Sequence, residues 1–468
     1  MSFALENGCA GGACYLASAL QWLRNCPFPA RRYRPDHLSI DMLRAGRGDG
    51  ASTKAVDVDV GEATVVLSIS DKERPPDTKR SAPTSAKVLF LDGIRGLAAM
   101  LVVLQHSTEY MNGVNVGATA VDAFFVLSSF LLTMLFLRKA ETLLAQGASY
   151  RKWAFALVDY FLKRFFRVYP FFALVAVLLW RLPFEYQNRF FLVENADKYD
   201  LFKVLTFDFD HRYLMLWTLP LEIAYYLFIP VFVVGMARLR GYWWVGFIPL
   251  QAWVLYDGFY VFRSHHILLR PHFTTFLQGS LAAVAFVRFS SWCKASGFEF
   301  RTWHAVGVRA TEYVIILLLI SECFRSLLCE WVHQFVPVSP GDPFISTLLA
   351  SVIVIEMVMP SAVSTTLEWN VLRHWGKISF SVYLLHPFVI FSETISKKTN
   401  YFDRLFERLI LLQVLATTSF YLVELPLQRA VQQLSRALAQ LETKDFGALV
   451  YAVTHTTKKQ RFQRSFIA

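Results

Sequence analysis

The chain has 468 residues, of which 55% are hydrophobic and only 18% are charged, and its mean hydropathy is +0.38. This composition excludes a chain that is disordered throughout, a collagen and a coiled coil, and six cysteines are too few for a disulfide-stapled small domain. What remains is a large membrane protein, whose net charge of +11 we assign to cytosolic loops, so that no nucleic-acid partner is expected.

Residues 1–87 are rich in Ser, Asp, Arg and Pro and contain no apolar run long enough to cross a bilayer. The short apolar stretch 13–23 lacks the basic flank of a signal peptide and is compatible with an interfacial or targeting helix. We predict that residues 1–87 form a cytosolic, largely disordered tail, because they have little apolar surface to bury.

Ten apolar segments follow this tail, and most of them approach the ~20 residues that cross a bilayer core. They are 88–105, 117–137, 165–182, 217–236, 242–262, 266–287, 310–328, 343–360, 376–392 and 408–426. The third has the shortest apolar run, so we expect its helix to extend back through the amphipathic stretch 153–167. The sequence predicts an all-α, polytopic transmembrane helix bundle of about ten spans at 88–430, followed by a basic cytosolic tail at 431–468.

Basic residues concentrate in the loops after the second, fourth and sixth apolar segments and in the C-terminal tail. Cytosolic loops of membrane proteins carry an excess of Lys and Arg. This alternation predicts both termini in the cytosol, in an integral multi-pass protein of the plasma membrane or an endomembrane.

Ionisable residues inside the predicted spans indicate a polar interior, because charge within a bilayer is costly and is usually functional. They are Asp92, Arg95, His106, Asp122, Glu222, Arg270, His272, Glu356, His386 and Glu424. A structural ion pair explains any one of them equally well. As a set they indicate a small-molecule pathway or an active site, and the chain offers no credible metal-binding motif.

The predicted topology sorts these residues by depth. His106 and Glu222 fall near the outer ends of their spans, where a carboxylate could orient an imidazole that acts as a general base. His386 falls about midway along the ninth span. Arg164 and Arg167 share a helical face on the cytosolic side, which suits phosphate, although their spacing alone favours ordinary cytosolic loop charge.

Six motifs, in order, resemble those of the acyltransferase-3 family of integral membrane acyltransferases. They are LDGIRGLAAMLVVLQH (91–106), FFVLSSFLLT (124–133), KRFFRVYP (163–170), WTLPLE (217–222), ISFSVYLLHP (378–387) and VELPLQR (423–429). The resemblance spans roughly 88–430. It implies transfer of an acyl group, expected to be acetyl, from the co-substrate acyl-CoA to a hydroxyl of a small molecule, glycan or lipid, without a tightly bound cofactor.

The resemblance also implies roles for single residues. His106 matches the family's catalytic histidine, and Glu222 is our candidate to orient its imidazole. The residues expected to bind acyl-CoA are Arg95, Arg164 and Arg167. The residues expected in a pathway or acceptor site are Asp92, Ser128, Tyr383 and His386.

Departures from the family pattern and one distance raise further questions. Ser129 replaces the usual Gly, which predicts looser or different packing there, and Pro220 is inserted in the first turn of its span. Arg95 and His106 are about 16 Å apart along a straight helix. Either the donor arm threads that depth, or the first helix is broken near Gly93–Gly96.

Three rival interpretations remain. A secondary transporter would explain the buried charges but not the order of the motifs. A catalytically silent scaffold would not need both His106 and the arginines. His106 itself could simply cap the C-terminus of the first helix, where cations are favoured, and His386 is then the next candidate base.

Overall fold

The computed structural model describes residues 89–107, 116–195, 199–260, 268–323 and 343–443. These residues contain helices and no strand, and all of them belong to one compact unit. The predicted tail at 1–87 lies outside the described residues, as does 444–468. The predicted all-α fold is confirmed for the part of the chain that the structure describes.

The described residues between 89 and 296 contain eight α-helices. They are α1 Leu89–Ser107, α2 Val116–Ala145, α3 Tyr150–Arg181, α4 Phe184–Phe191, α5 Leu201–Leu205, α6 Thr218–Arg238, α7 Trp243–Tyr260 and α8 Arg270–Ser296. Short 3-10 turns at Phe209–His211 and Leu214–Trp217 lie between α5 and α6, and another at Arg240–Tyr242 lies between α6 and α7. Pro220 is the third residue of α6, in the first turn as predicted.

The part of the chain described from 302 to 443 contains eight more. They are α9 Thr302–Cys323, α10 Pro343–Val358, α11 Ala362–Leu367, α12 Asn370–Lys377, α13 Ser379–Ile390, α14 Glu393–Ser396, α15 Tyr401–Ser419 and α16 Leu425–Thr443. A π-helical turn at Phe420–Glu424 joins α15 to α16.

Four helical stretches of the described residues are long and apolar enough to cross a membrane. They are Leu89–Ser107, Val116–Ala145, Leu214–Arg238 and Tyr401–Glu442. Two shorter apolar helices, Phe344–Val358 and Ser379–Ile390, accompany them. Each of the ten predicted apolar segments overlaps a helix, whereas the number of spans stays a prediction.

Helix α3 is continuous over 32 residues, as the predicted extension through 153–167 requires. Helix α16 continues past residue 430 and packs along α3. The Arg151 guanidinium donates to the Leu441 carbonyl at 2.9 Å, and the Ser435 hydroxyl donates to the Asp159 carboxylate at 2.5 Å. The last described helix is therefore bonded to the N-terminal half of α3.

Two hydrophobic cores form the interior, and α1 contributes to both. Ile94 and Val102 belong to a core built with α2, α6, α8 and α10, while Ala99 and Val103 belong to one built with α3, α13 and α15. Phe124 of α2 packs against both cores. The boundary between the cores therefore runs beside α1.

Helix α1 is unbroken, which decides against a break near Gly93–Gly96. Its glycines instead permit close contact with the segment around α12. A Cβ on Gly96 would lie 1.8 Å from the Leu372 carbonyl oxygen, and one on Gly376 would lie 2.0 Å from the Asp92 carbonyl oxygen. The two backbones touch at these positions, and only glycine leaves room for that.

Ser129 packs against a glycine of the facing helix. A Cβ on Gly279 of α8 would lie 2.1 Å from the Ser129 Oγ and 2.4 Å from the Val126 carbonyl oxygen. Ser129 turns its hydroxyl back to the Phe125 carbonyl at 2.8 Å. The packing is therefore different and still close, because the small residue lies on α8.

Candidate active site

A cavity of about 370 Å³ lies at the boundary between the two cores. It is lined by α1, α2, α3, α6 and α13, by the turn before α6, and by one residue of α8, His272. Apolar side chains form most of its wall, and a few polar groups converge in it. A pocket of this size and composition is the usual form of a small-molecule site.

Eight of the nine predicted site residues line this cavity. They are Arg95, His106, Ser128, Arg164, Arg167, Glu222, Tyr383 and His386. Asp92 is not among the lining residues, and its carboxylate forms an ion pair with Arg95 at 3.2 Å. Asp92 therefore acts on the cavity through Arg95.

The basic end of the cavity consists of Arg95, Arg164 and Arg167. The Arg167 guanidinium repels those of Arg95 and Arg164, and the Glu222 carboxylate attracts both Arg95 and Arg164. Glu424 attracts Arg167. The Nε of Arg164 is buried and has no hydrogen-bond partner among the described residues, so this end can accept an anionic group.

Glu222 belongs to the basic end, which corrects its predicted contact with His106. Its carboxylate accepts a hydrogen bond from the Ser128 hydroxyl at 2.6 Å and another from the Tyr226 hydroxyl. In the described part of the chain, Glu222 makes no hydrogen bond to His106. The sequence predicted the depth of Glu222 along its span but not the direction of its side chain.

The imidazole end of the cavity consists of His106 and His386, whose ring centroids are 5.4 Å apart. The Nδ1 of His386 lies 2.7 Å from the Tyr383 carbonyl oxygen and 3.2 Å from that of Val382. A carbonyl only accepts, so Nδ1 carries a hydrogen. The Nε2 of His386 is buried and has no hydrogen-bond partner among the described residues.

Tyr383 holds α13 against the start of α6. Its hydroxyl donates to the Met215 carbonyl and accepts from the Thr218 hydroxyl at 2.7 Å. The backbone carbonyl of the same residue holds His386. The position of the imidazole end therefore depends on the turn at Leu214–Trp217.

Sequence reasoning missed two residues that line the cavity and hold site groups, Thr218 and Tyr226. Tyr226 lies four residues after Glu222, a helical spacing that brings side chains together and could have revealed it. His272 also lines the cavity, with its ring 5.2 Å from Trp217 and 5.7 Å from Phe125. The described residues contain no group of three or more His, Cys, Asp or Glu that could hold a metal.

One cavity thus joins a basic end to an imidazole end. Arg95 and His106 lie on the same unbroken helix, about 16 Å apart along its axis. Between them the wall is formed by apolar residues, including Ala99, Val102 and Val168. Chemically, this arrangement can hold an anionic group at one end and accept a proton at the other.

The family model described as an acyltransferase domain matches residues 88–438, which include every residue of the cavity wall. A Bacillus subtilis (strain 168) protein, "Putative peptidoglycan O-acetyltransferase YrhL", is 24% identical over 372 residues. The match covers 72% of this chain and 54% of that protein, so the chain spans about half the length of this relative. No solved structure matches the chain. Since the family model covers most of its length, the chain belongs to the acyltransferase-3 family of membrane acyltransferases.

Proposed function

We propose that the protein is a multi-pass membrane O-acyltransferase that moves an acyl group, acetyl in the simplest case, from acyl-CoA to a hydroxyl. The acceptor is a small molecule, glycan or lipid. The observation that carries the proposal is the single cavity that joins three arginines to two histidines. The O-acetyltransferase name of the bacterial relative supports the same reaction type.

The basic end binds the phosphates of the donor. A guanidinium offers paired donors that match phosphate oxygens, and the unpartnered Nε of Arg164 needs such an acceptor. The apolar wall then accommodates the uncharged arm that carries the thioester. Glu222 holds Ser128 and Tyr226 at this end and positions Arg95 and Arg164 through its charge.

The imidazole end performs the transfer. His106 takes the proton of the acceptor hydroxyl while the hydroxyl oxygen attacks the thioester carbonyl. The carbon–sulfur bond breaks, and the CoA thiolate takes up the proton from the imidazolium. The ester and free CoA leave, and the imidazole is restored. Neither step requires a metal ion or a tightly bound cofactor.

The proposed topology has ten spans and cytosolic termini, in the plasma membrane or an endomembrane. The alternating basic loops support it, and so does the helix found in each apolar segment. In this topology acyl-CoA reaches the basic end from the cytosolic side.

Donor binding tests the proposal. We expect the double variant Arg164→Gln/Arg167→Gln to bind acetyl-CoA at least about tenfold more weakly, because a charge-assisted hydrogen bond is worth roughly 1.5–3 kcal/mol. Lys163→Gln is the matched control, since Lys163 lies on the same helix, pairs with Asp159 at 2.9 Å and does not line the cavity. Unchanged affinity in the double variant would mean that both arginines are ordinary cytosolic loop charges and do not bind the donor.

Product formation separates the enzyme from its rivals. Purified protein with radioactive acetyl-CoA and a membrane extract of the source cells should release free CoA and transfer label to a hydroxyl. A secondary transporter would accumulate a solute in sealed vesicles without CoA release. A silent scaffold would release no CoA and transfer no label.

A further inference from the structure

His106 lacks the partner that a histidine base ordinarily has. Among the described residues its ring makes no hydrogen bond, and its ring contact is with His386. Nothing else on the described chain selects which of its nitrogens carries the hydrogen. A base with an undefined tautomer would present the wrong nitrogen to the acceptor part of the time.

His386 has the complementary property. Its Nδ1–H is committed to the Tyr383 carbonyl, so its Nε2 can only accept while the ring is neutral. That Nε2 is buried and unpartnered among the described residues, although the ring lines the cavity. A buried acceptor without a donor is costly, so Nε2 needs a hydrogen bond.

The two rings meet these needs together. A centroid separation of 5.4 Å leaves room for one hydrogen bond between facing ring nitrogens and no room for a residue between them. The two rings are not hydrogen-bonded in this structure, and catalytic hydrogen bonds often close only once substrate is bound. We propose that His386 is the positioning residue of His106, with its Nε2 accepting the N–H of the His106 ring in the substrate complex. The other nitrogen of His106 is then bare and faces the acceptor hydroxyl.

This assignment gives His386 the role that the sequence suggested for Glu222. Glu222 accepts from Ser128 and Tyr226 at the basic end, whereas His386 is held beside His106 by the backbone of α13. A neutral orienter keeps the imidazole end free of a fixed negative charge. When His106 takes the acceptor proton, its other N–H stays bonded to Nε2, so the charge of the imidazolium is shared with the second ring.

The inference rests on the proposed acyl transfer, and a mutant cycle on turnover tests it. We expect His386→Gln to bind acetyl-CoA like the wild type and to lower kcat by less than the roughly 10- to 100-fold that loss of an orienting partner costs, the loss expected for His386→Ala. Its amide oxygen can still accept from His106, so His386→Gln should be more active than His386→Ala. If His386→Ala does not fold, the glutamine variant alone completes the cycle.

The double variant His106→Gln/His386→Gln should be no slower than His106→Gln alone, because residues that act as a unit give non-additive losses. His272→Gln is the matched control, since it removes another buried histidine that lines the cavity. The fold-losses in kcat of His272→Gln and His106→Gln should multiply when the two changes are combined.

Three results would overturn the inference. The first is that the losses in kcat of His106→Gln and His386→Gln multiply in the double variant. The second is that His386→Gln changes only KM, and the third is that it loses acetyl-CoA binding while kcat stays unchanged. If the wild type transferred no label at all, the proposed function itself would fail. If the wild type transferred label and the two losses in kcat multiplied in the double variant, only the proposed role of His386 would be refuted.

Discussion

Replacing Gly96 with Ala would test how closely α1 packs against α12. The new Cβ would lie 1.8 Å from the Leu372 carbonyl oxygen and 2.8 Å from the Gly376 nitrogen, both backbone atoms that cannot rotate away. Real Cβ atoms do not approach within 3.0 Å, so the helices must separate by at least about 1.2 Å. Overpacking of this kind costs about 1–3 kcal/mol.

The same movement should reduce activity, because Gly96 adjoins Arg95 and both lie on the helix that carries His106. A displacement of about 1 Å in catalytic geometry can cost about 100-fold in rate. We therefore expect Gly96→Ala to lower both the melting temperature of the purified protein and its turnover with acetyl-CoA.

Gly307→Ala is the matched control. Gly307 lies in the exposed part of α9, and a Cβ there meets nothing within 4 Å. Alanine is the better helix former by about 0.5–1 kcal/mol, so the melting temperature of this variant should stay or rise. If Gly96→Ala and Gly307→Ala behaved alike in both assays, the described contact between α1 and α12 would be refuted.

Three further predictions concern the proposed base, the hydrogen bonds of Tyr383 and the membrane topology. His106→Gln should bind acetyl-CoA normally and turn over about 10²–10⁴ times more slowly, and retention of more than about a tenth of the activity would place the base elsewhere. Tyr383→Phe removes the bonds to Met215 and Thr218 and should destabilise the protein by about 1–3 kcal/mol in thermal unfolding, with donor affinity preserved. A tag after residue 468 should be accessible from the cytosolic side of sealed vesicles, and its protection there would contradict the ten-span topology.

The location of the site was predictable because its residues fall in short motifs that share a polar character within apolar spans. His106 was identified as an ionisable residue within a span, whereas Arg164 and Arg167 were identified by the family motif that they resemble, and the structure places all three in one cavity. The continuity of α3 through 153–167 was predictable from an amphipathic pattern that leads into an apolar run.

Contacts between distant segments could not be predicted. Which way a side chain points from a span depends on the rotation of the whole helix, and packing against its neighbours sets that rotation. Glu222 therefore reaches Ser128 instead of His106. The partner of Ser129 was hidden for the same reason, since Gly279 follows it by 150 residues and no local signal connects the two.

Because α1 is one unbroken helix, it fixes the spacing between Arg95 and His106. Eleven residues separate Arg95 from His106, which is about three full turns, so both side chains leave the helix in nearly the same direction. Inserting one residue between them would lengthen the spacing by only about 1.5 Å but would swing His106 round by about 100°. For the proposed transfer, the number of residues in this interval is therefore restricted more tightly than their identity. A donor whose reactive carbon lies close to its phosphates would be too short to contact both Arg95 and His106.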